Sequence, residues 1–129
     1  MIELPDDNFG RRELEAGEVV FLEGQEIDKS YVVLQGHVDI IIRNPEGTEI
    51  VVDQLGPGEL FGEIALLQKN RKRTATVIAV DNCTLLEIDR KVFDARLAKA
   101  DPLLRFVLDH MTRRLVNTTQ RYIAKNLAE

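Results

Sequence analysis

Short runs of β-branched residues, separated by glycine and other turn residues, occupy the chain from about residue 18 to residue 88. Valine and isoleucine favour strands, and Asn-Pro-Glu-Gly at residues 44–47 is typical of a hairpin turn. Strands that recur at intervals of about 8–14 residues indicate a β-sandwich or a barrel. The predicted strands are residues 19–22, 31–34, 38–42, 49–52, 75–80 and 84–88.

Helical signals replace this strand pattern after residue 88. Asp89 is a predicted N-cap for a short helix over residues 90–98. Asp101 is the predicted cap of a second helix, because the proline that follows it suits a first helical position. No glycine or proline occurs later in the chain, so we expect this helix to run as far as Ala128.

The second predicted helix is apolar on two sides. One side has the alternating four- and three-residue spacing of a coiled-coil seam, which predicts a parallel homodimer through the C-terminal helix. The alternative is a single helix wrapped on its own domain. The seam consists of Leu104, Leu108, Met111, Leu115, Thr118 and Tyr122, and the second side, expected to pack back on the β-structure, consists of Leu103, Phe106, Val107 and Val116.

Length and composition are those of one globular domain. A chain of 129 residues with 44% hydrophobic and 30% charged residues can bury a core. We divide it into a leader (1–13), a β-barrel (14–88) and C-terminal helices (89–129). No apolar run approaches the ~20 residues of a membrane span, and the N-terminus lacks the features of a signal peptide. We therefore expect a cytoplasmic protein without a membrane partner.

Catalytic and metal chemistry lack the residues that they need. His37 and His110 stand far apart without a metal-ligand motif, and no Ser/His/Asp or Cys/His arrangement is present, so we expect no enzyme activity. Cys83, the single cysteine, lies in an apolar stretch and is expected to be buried. A net charge of −5, and a basic run at residues 69–73 without interleaved aromatic residues, predict no direct nucleic-acid binding.

Residues 61–77, FGEIALLQKNRKRTATV, combine the parts of an anion site. Gly62 and Glu63 are suited to the start of a short helix, where unpaired backbone N–H groups attract an anion. Arg73 offers a guanidinium fork for two phosphate oxygens. The Glu63 carboxylate is an acceptor for a sugar hydroxyl. Together these residues predict a site for a small sugar phosphate.

This segment resembles the phosphate-binding cassette of the cyclic-nucleotide-binding domain family. The family pattern F-G-E-[LIM]-A-L stands here at residues 61–66, and R-[STA]-A-x-V stands at residues 73–77. Many members have proline directly before the arginine, where this chain has Lys72. The resemblance implies an α+β, mainly β fold: an antiparallel double-stranded β-helix (jelly-roll) barrel with flanking helices and a long C-terminal helix.

The resemblance also implies roles for four cassette residues. Arg73 would bind the cyclic phosphate, and Glu63 would accept a hydrogen bond from the ribose 2′-hydroxyl. Gly62 would let the backbone come close and offer its N–H, as would Ile64. The implied ligand is cyclic AMP or cyclic GMP, and no further cofactor is expected.

The nucleobase is the less determined part of this prediction. Thr74 resembles the threonine of cyclic-GMP-preferring members, which contacts both phosphate and guanine. Thr118 and Thr119 match adjacent hydroxyl residues that approach the adenine amine from the paired helices of bacterial activators in the family. Val51 and Leu60 are expected to line the base and the sugar.

The function that we expect is a sensor in which ligand binding shifts the C-terminal helices and so signals to an unknown effector. The alternative is a degenerate domain that keeps the fold and acts as an interaction or dimerisation module. In the transcription-factor branch of the family a DNA-reading domain follows the long helix, whereas this sequence stops at Glu129. It is therefore expected to be either a stand-alone module or an excised domain.

Overall fold

A computed structural model describes residues 9–26, 28–62 and 72–127 of the protein, with the backbone alone at Val116 and at residues 119–127. The elements in this part of the chain are, in order, β1 (Gly10–Leu14), β2 (Val19–Phe21), β3 (Lys29–Gln35), β4 (Val38–Arg43), β5 (Glu49–Leu55), β6 (Leu60–Phe61), β7 (Thr76–Ala79), β8 (Cys83–Asp89), α1 (Arg90–Ala98) and α2 (Pro102–Leu127).

The strands form two four-stranded antiparallel sheets that share one core. The strand order is β1-β8-β3-β6 in the first sheet and β2-β7-β4-β5 in the second. Val33 and Leu85 of the first sheet and Val38 and Val77 of the second are almost completely buried, and they belong to one apolar cluster. Residues from both sheets thus face the same interior, as in other two-sheet β-proteins. The predicted mainly β, jelly-roll architecture is confirmed.

All six predicted strands are present, with ends within three residues of those expected, and two more strands occur. β6 falls at the start of the predicted cassette. β1 begins at Gly10, which corrects the predicted boundary between leader and barrel at residue 14. The sequence of β1 shows no alternation because only Leu14 is buried in it. The strand exists because its backbone pairs with β8 along its whole length.

Both helices begin at the predicted caps. The Asp89 carboxylate accepts a hydrogen bond from the backbone N–H of Lys91 (2.8 Å), and that of Asp101 accepts one from Leu103 (2.8 Å). α1 has the predicted limits, and α2 continues to Leu127, the last described residue, so the predicted end at Ala128 lies outside the described part of the chain. Over the described residues, neither helix contains a stretch long and apolar enough to cross a bilayer.

Both apolar sides of α2 are exposed on the single chain. The side expected to pack on the β-structure does not do so, since its described members are 42–71% exposed. The described apolar members of the seam are 45–60% exposed. These residues are Leu103, Phe106 and Val107 on the first side and Leu104, Leu108, Met111 and Leu115 in the seam. The side chains of Val116 and Tyr122 lie outside the described part of the chain.

Two turns interlock at one end of the sandwich. A Cβ atom at Gly36 (φ +84°) would lie 2.5 Å from the carbonyl oxygen of Asn82, so this turn requires glycine. The Asp81 carboxylate accepts a hydrogen bond from the backbone N–H of His37 (2.7 Å) and lies 2.9 Å from Nδ1 of the His37 ring. Cys83 is buried as predicted, donates to the carbonyl of His37 (3.0 Å), and has its pKa raised by burial.

Asp81→Asn is expected to lower the free energy of unfolding at about pH 7, and to lower it by progressively less as pH falls below about 4. The hydrogen bonds from the side chain and backbone of His37 hold the pKa of the Asp81 carboxyl below its ordinary value. A lowered pKa stabilises the fold above the unfolded pKa, near 4, and this stabilisation disappears as pH falls through the folded value. Urea unfolding at several pH values measures the difference. Asp53→Asn, at an exposed carboxylate that accepts from the adjacent Gln54 N–H, is the control. A difference that does not shrink as pH falls below about 4 would contradict this prediction.

Candidate functional site

The loop after β2 fixes the backbone of Arg73. The N–H of Gly24 donates to the carbonyl of Arg73 (2.8 Å), and the N–H of Arg73 donates to the carbonyl of Gln25 (2.8 Å). An isolated antiparallel bridge joins Glu26 to Lys72 beside these bonds. Because the main chain is held on both sides just before β7, the arginine side chain starts from a defined position.

The side chain of Arg73 turns into the protein and is only 5% exposed. Its Cζ lies 3.9 Å from the centroid of the Phe21 ring and 5.9 Å from that of Tyr31. Its Nη2 donates to the backbone carbonyl of Lys29 (2.6 Å). Burial lowers the pKa of the guanidinium, and the charges of Tyr31 and Asp28 partly offset this effect. A guanidinium nevertheless stays charged in proteins.

Gly62, directly after β6, lies against this guanidinium. Its backbone has φ +69°, in the left-handed region, and a Cβ atom there would lie 2.7 Å from Nη1 of Arg73 and 3.6 Å from the Phe21 ring. Only glycine fits both the backbone conformation and the close approach. The structure therefore brings together two of the predicted site residues, Gly62 and Arg73, from opposite ends of the cassette.

The Arg73 guanidinium is a buried charge, and its partners among the described residues are a backbone carbonyl and aromatic rings. In residues 9–26, 28–62 and 72–127, no carboxylate forms an ion pair with it. Its Nε is buried without a hydrogen-bond partner. An uncompensated buried charge is costly to the folded state. An anion with two oxygens would satisfy both the charge and the free N–H, so the arrangement suits a phosphate group.

The remaining predicted site residues are placed as follows. Thr74 is exposed beside Arg73 in the chain. Thr118 is exposed on α2, where its hydroxyl donates to the carbonyl of Arg114 in the same helix (2.9 Å). Glu63, Ile64 and the side chain of Thr119 lie outside the described residues. Contacts of these five residues with a ligand stay predictions.

The predicted apolar lining needs correction. Val51 pairs with Ile41, and Leu60 pairs with Val32. These positions alternate along their strands with the positions whose side chains face the core. Side chains opposite one another share a face of the sheet, so Val51 and Leu60 lie on the outer faces. They are 54% and 46% exposed.

Sequence reasoning missed Phe21 and Lys29, which contact the Arg73 side chain. A phenylalanine in a strand and a lysine at the start of a strand are both common, so neither residue stands out in the sequence. Phe21 reaches the site because β2 pairs with β7, which places it opposite Val77. No local signal in the sequence reports that pairing.

A comparison with protein families identifies the domain. The family model described as the cyclic nucleotide-binding domain matches residues 11–100. The chain belongs to this family. The cyclic nucleotide-binding domain accounts for both sheets and α1, whereas the whole of α2 lies beyond the matched residues.

Known relatives of this cyclic nucleotide-binding domain include bacterial regulators. The chain is 33% identical over 99 residues to the cAMP-activated global transcriptional regulator CRP of Haemophilus influenzae, which covers 76% of this chain and 44% of that protein. The chain thus spans less than half the length of this curated relative.

Solved structures with a similar fold come from bacteria and from a parasite. The Thermus thermophilus catabolite activator protein superposes with a TM-score of 0.74 at 28% identity, over 93% of this chain and 55% of that one. The regulatory domain of Toxoplasma gondii PKA, in a co-crystal with cAMP, gives a TM-score of 0.63 at 37% identity. The match covers 67% of this chain and 33% of that one.

Proposed function

We propose that this domain is a cyclic nucleotide sensor that binds cyclic AMP or cyclic GMP, with Arg73 holding the cyclic phosphate. The observation that carries the proposal is the buried Arg73 guanidinium against Gly62, with a free Nε and no carboxylate partner among the described residues. A cyclic nucleotide has one phosphate charge, which matches one buried cation. A domain that only mediates contacts has no need to bury this charge, which argues against a degenerate pocket.

The other contacts of the proposed complex follow the cassette. Glu63 accepts from the ribose 2′-hydroxyl, Gly62 and Ile64 offer backbone N–H groups, and the exposed Thr74 hydroxyl donates to the phosphate. Thr118 and Thr119 of α2 approach the base. The cAMP bound by the Toxoplasma relative and the cAMP activation named for the Haemophilus relative support cyclic AMP as a ligand.

The output of the sensor is proposed to pass through α2. The apolar seam of α2 is exposed on the single chain, and exposed apolar surfaces of this kind mark interfaces. The same seam of a second copy fits against it in register. Ligand that binds more tightly to one arrangement of the helices shifts the population toward that arrangement. An effector, as a protein or a further domain, reads this shift, and the mode of action is regulatory rather than enzymatic.

Titration calorimetry of the purified protein, stripped of carried-over ligand, tests the proposal. Cyclic AMP and cyclic GMP are titrated in parallel into the same preparation. We expect dissociation constants of micromolar or tighter for at least one of them. If a folded sample gives no heat with either nucleotide, the sensor is refuted and the interaction module takes its place.

Thr74→Ala is expected to weaken binding of cyclic GMP more than that of cyclic AMP. The hydroxyl is a donor to the phosphate in both complexes, whereas only guanine offers an additional contact to it, and a lost hydrogen bond costs roughly 1 kcal/mol. The same calorimetric titrations measure the two losses. Thr84→Ala, on β8 near the opposite end of the sandwich, serves as the control. Equal losses for the two nucleotides would show that Thr74 does not contact the base.

Gly62→Ala is expected to weaken nucleotide binding roughly tenfold or more, since a displaced charged group easily costs the 1.4 kcal/mol that this factor represents. The added Cβ would lie 2.7 Å from Nη1 of Arg73, and the pinned guanidinium must move away from it. Gly47→Ala is a matched control, because Gly47 has a similar φ of +86° but nothing within 4 Å of the added atom. Both variants carry the backbone strain, so both should lose stability, whereas only Gly62→Ala should lose affinity. If Gly62→Ala and Gly47→Ala bind nucleotide equally tightly, the close approach of position 62 to the Arg73 guanidinium is contradicted.

A further inference from the structure

Three aromatic rings form the support on which the Arg73 guanidinium rests. Phe21 lies 6.0 Å from Tyr31 and 6.1 Å from Phe61, and the rings of Tyr31 and Phe61 stack at 5.3 Å with an angle of 19°. All three residues are less than 9% exposed and belong to the core cluster. The Phe21 ring is thus held by two neighbours, and the guanidinium lies on it with Cζ 3.9 Å from the centroid.

The guanidinium is restrained in two independent directions. The Phe21 ring restrains its face, and the carbonyl of Lys29, which accepts from Nη2 at 2.6 Å, restrains its edge. The glycine at position 62 leaves the space beside Nη1 open. Nε remains without a partner. The guanidinium is therefore oriented before any ligand arrives, and some of its N–H groups remain available to donate to a ligand.

A stacked ring and a bound phosphate use different parts of a guanidinium. The ring attracts the cation through the flat face, by its quadrupole. Phosphate oxygens accept hydrogen bonds from the N–H groups that point outward in the guanidinium plane. The two interactions do not compete, so Phe21 can keep its contact while a phosphate binds. Orienting a binding group in advance raises affinity because less freedom is lost on binding.

We propose that Phe21 is a positioning residue for the phosphate, which holds the Arg73 guanidinium by a cation–π contact in the orientation that binds the ligand. The inference rests on the proposed function. It assigns to a core phenylalanine a role in affinity that its packing alone does not require.

Fluorinated phenylalanine tests the role of the ring without changing the packing. Ring fluorines withdraw the negative charge from the face and change the volume little. Phenylalanine with one, two and three fluorines is introduced at position 21 of the full chain, and the dissociation constant for the tighter-binding nucleotide is measured. We expect affinity to fall stepwise, by about tenfold with three fluorines. The same series at Phe61 is the control, because Phe61 belongs to the same cluster but has no cation–π contact with Arg73 in the described structure.

A second readout does not depend on the ligand. In the ligand-free protein the Arg73 guanidinium protons should show an upfield NMR shift from the Phe21 ring, and Phe21→Leu should remove this shift. Unchanged affinity across the series at position 21, or a rise in affinity, would overturn the positioning role; a rise would mean that the ring competes with the phosphate. If the unmodified protein binds neither nucleotide, the proposed function fails, and the positioning role fails with it.

Discussion

Arg73→Met is expected to weaken cyclic nucleotide binding by a factor of roughly 30 to several thousand, since truncating one partner of a buried charge pair costs about 2–5 kcal/mol. Methionine keeps an unbranched chain of similar length in the space beside Phe21 but has no charge and no donor. The phosphate would then enter a site with no opposite charge. Calorimetric titration with cyclic AMP and cyclic GMP measures the loss.

The ligand-free stability of Arg73→Met should not fall together with its affinity. Because the guanidinium is buried without a carboxylate partner among the described residues, replacing it with an apolar side chain is expected to leave the free energy of unfolding unchanged or to raise it. A site kept for binding at a cost in stability has this signature.

Arg12→Met is the matched control for this experiment. The Arg12 guanidinium also donates to backbone carbonyls, those of Val20 (2.8 Å) and Val19 (3.1 Å), but it lies on β1. Its removal should lower stability and leave the affinity for nucleotide unchanged. If Arg73→Met binds as tightly as the unmodified protein, the assignment of the phosphate site is wrong.

Leu115→Asp is expected to dissociate the proposed dimer, with a dissociation constant raised roughly 100-fold or more. In a parallel coiled coil the same seam position of each helix faces its copy, so the substitution puts two carboxylates opposite each other in an apolar interface. Leu115 is 49% exposed on the single chain and lies outside the core cluster, so the domain is expected to stay folded with a charge there. Sedimentation equilibrium over a range of concentrations measures the association.

Asn117→Asp introduces the same residue two positions away, off the seam, on an exposed part of α2. It controls for the added charge and for the lower helix propensity of aspartate. We expect it to associate like the unmodified protein. An unmodified protein that sediments as a monomer at high concentration, or equal association of all three proteins, would refute the seam as an interface.

These two experiments also separate the sensor from its alternative. Loss of nucleotide binding in Arg73→Met with an intact dimer would show that ligand recognition and association rest on different parts of the domain. A protein that dimerises through α2 but binds no nucleotide would be the interaction module. The outcome of the first titration therefore decides how the dimer is interpreted.

The sequence by itself determined the features that depend on neighbouring residues. Asp89 and Asp101 are recognisable as caps because a carboxylate bonds to a backbone N–H only two residues ahead. Most strands are recognisable because short runs of β-branched residues alternate with turn signals. Gly62 and Arg73 are predicted site residues because both belong to one short motif, and the structure brings them together.

Only the tertiary structure decided which distant residues meet. β1 has no apolar pattern and exists through its pairing with β8. The faces of Val51 and Leu60 follow from register with other strands, and a shift of one residue would reverse them. The contact of Phe21 with Arg73 likewise depends on how β2 pairs with β7 and how the two sheets face each other. Such contacts come from the packing of whole elements, which no short stretch of sequence encodes.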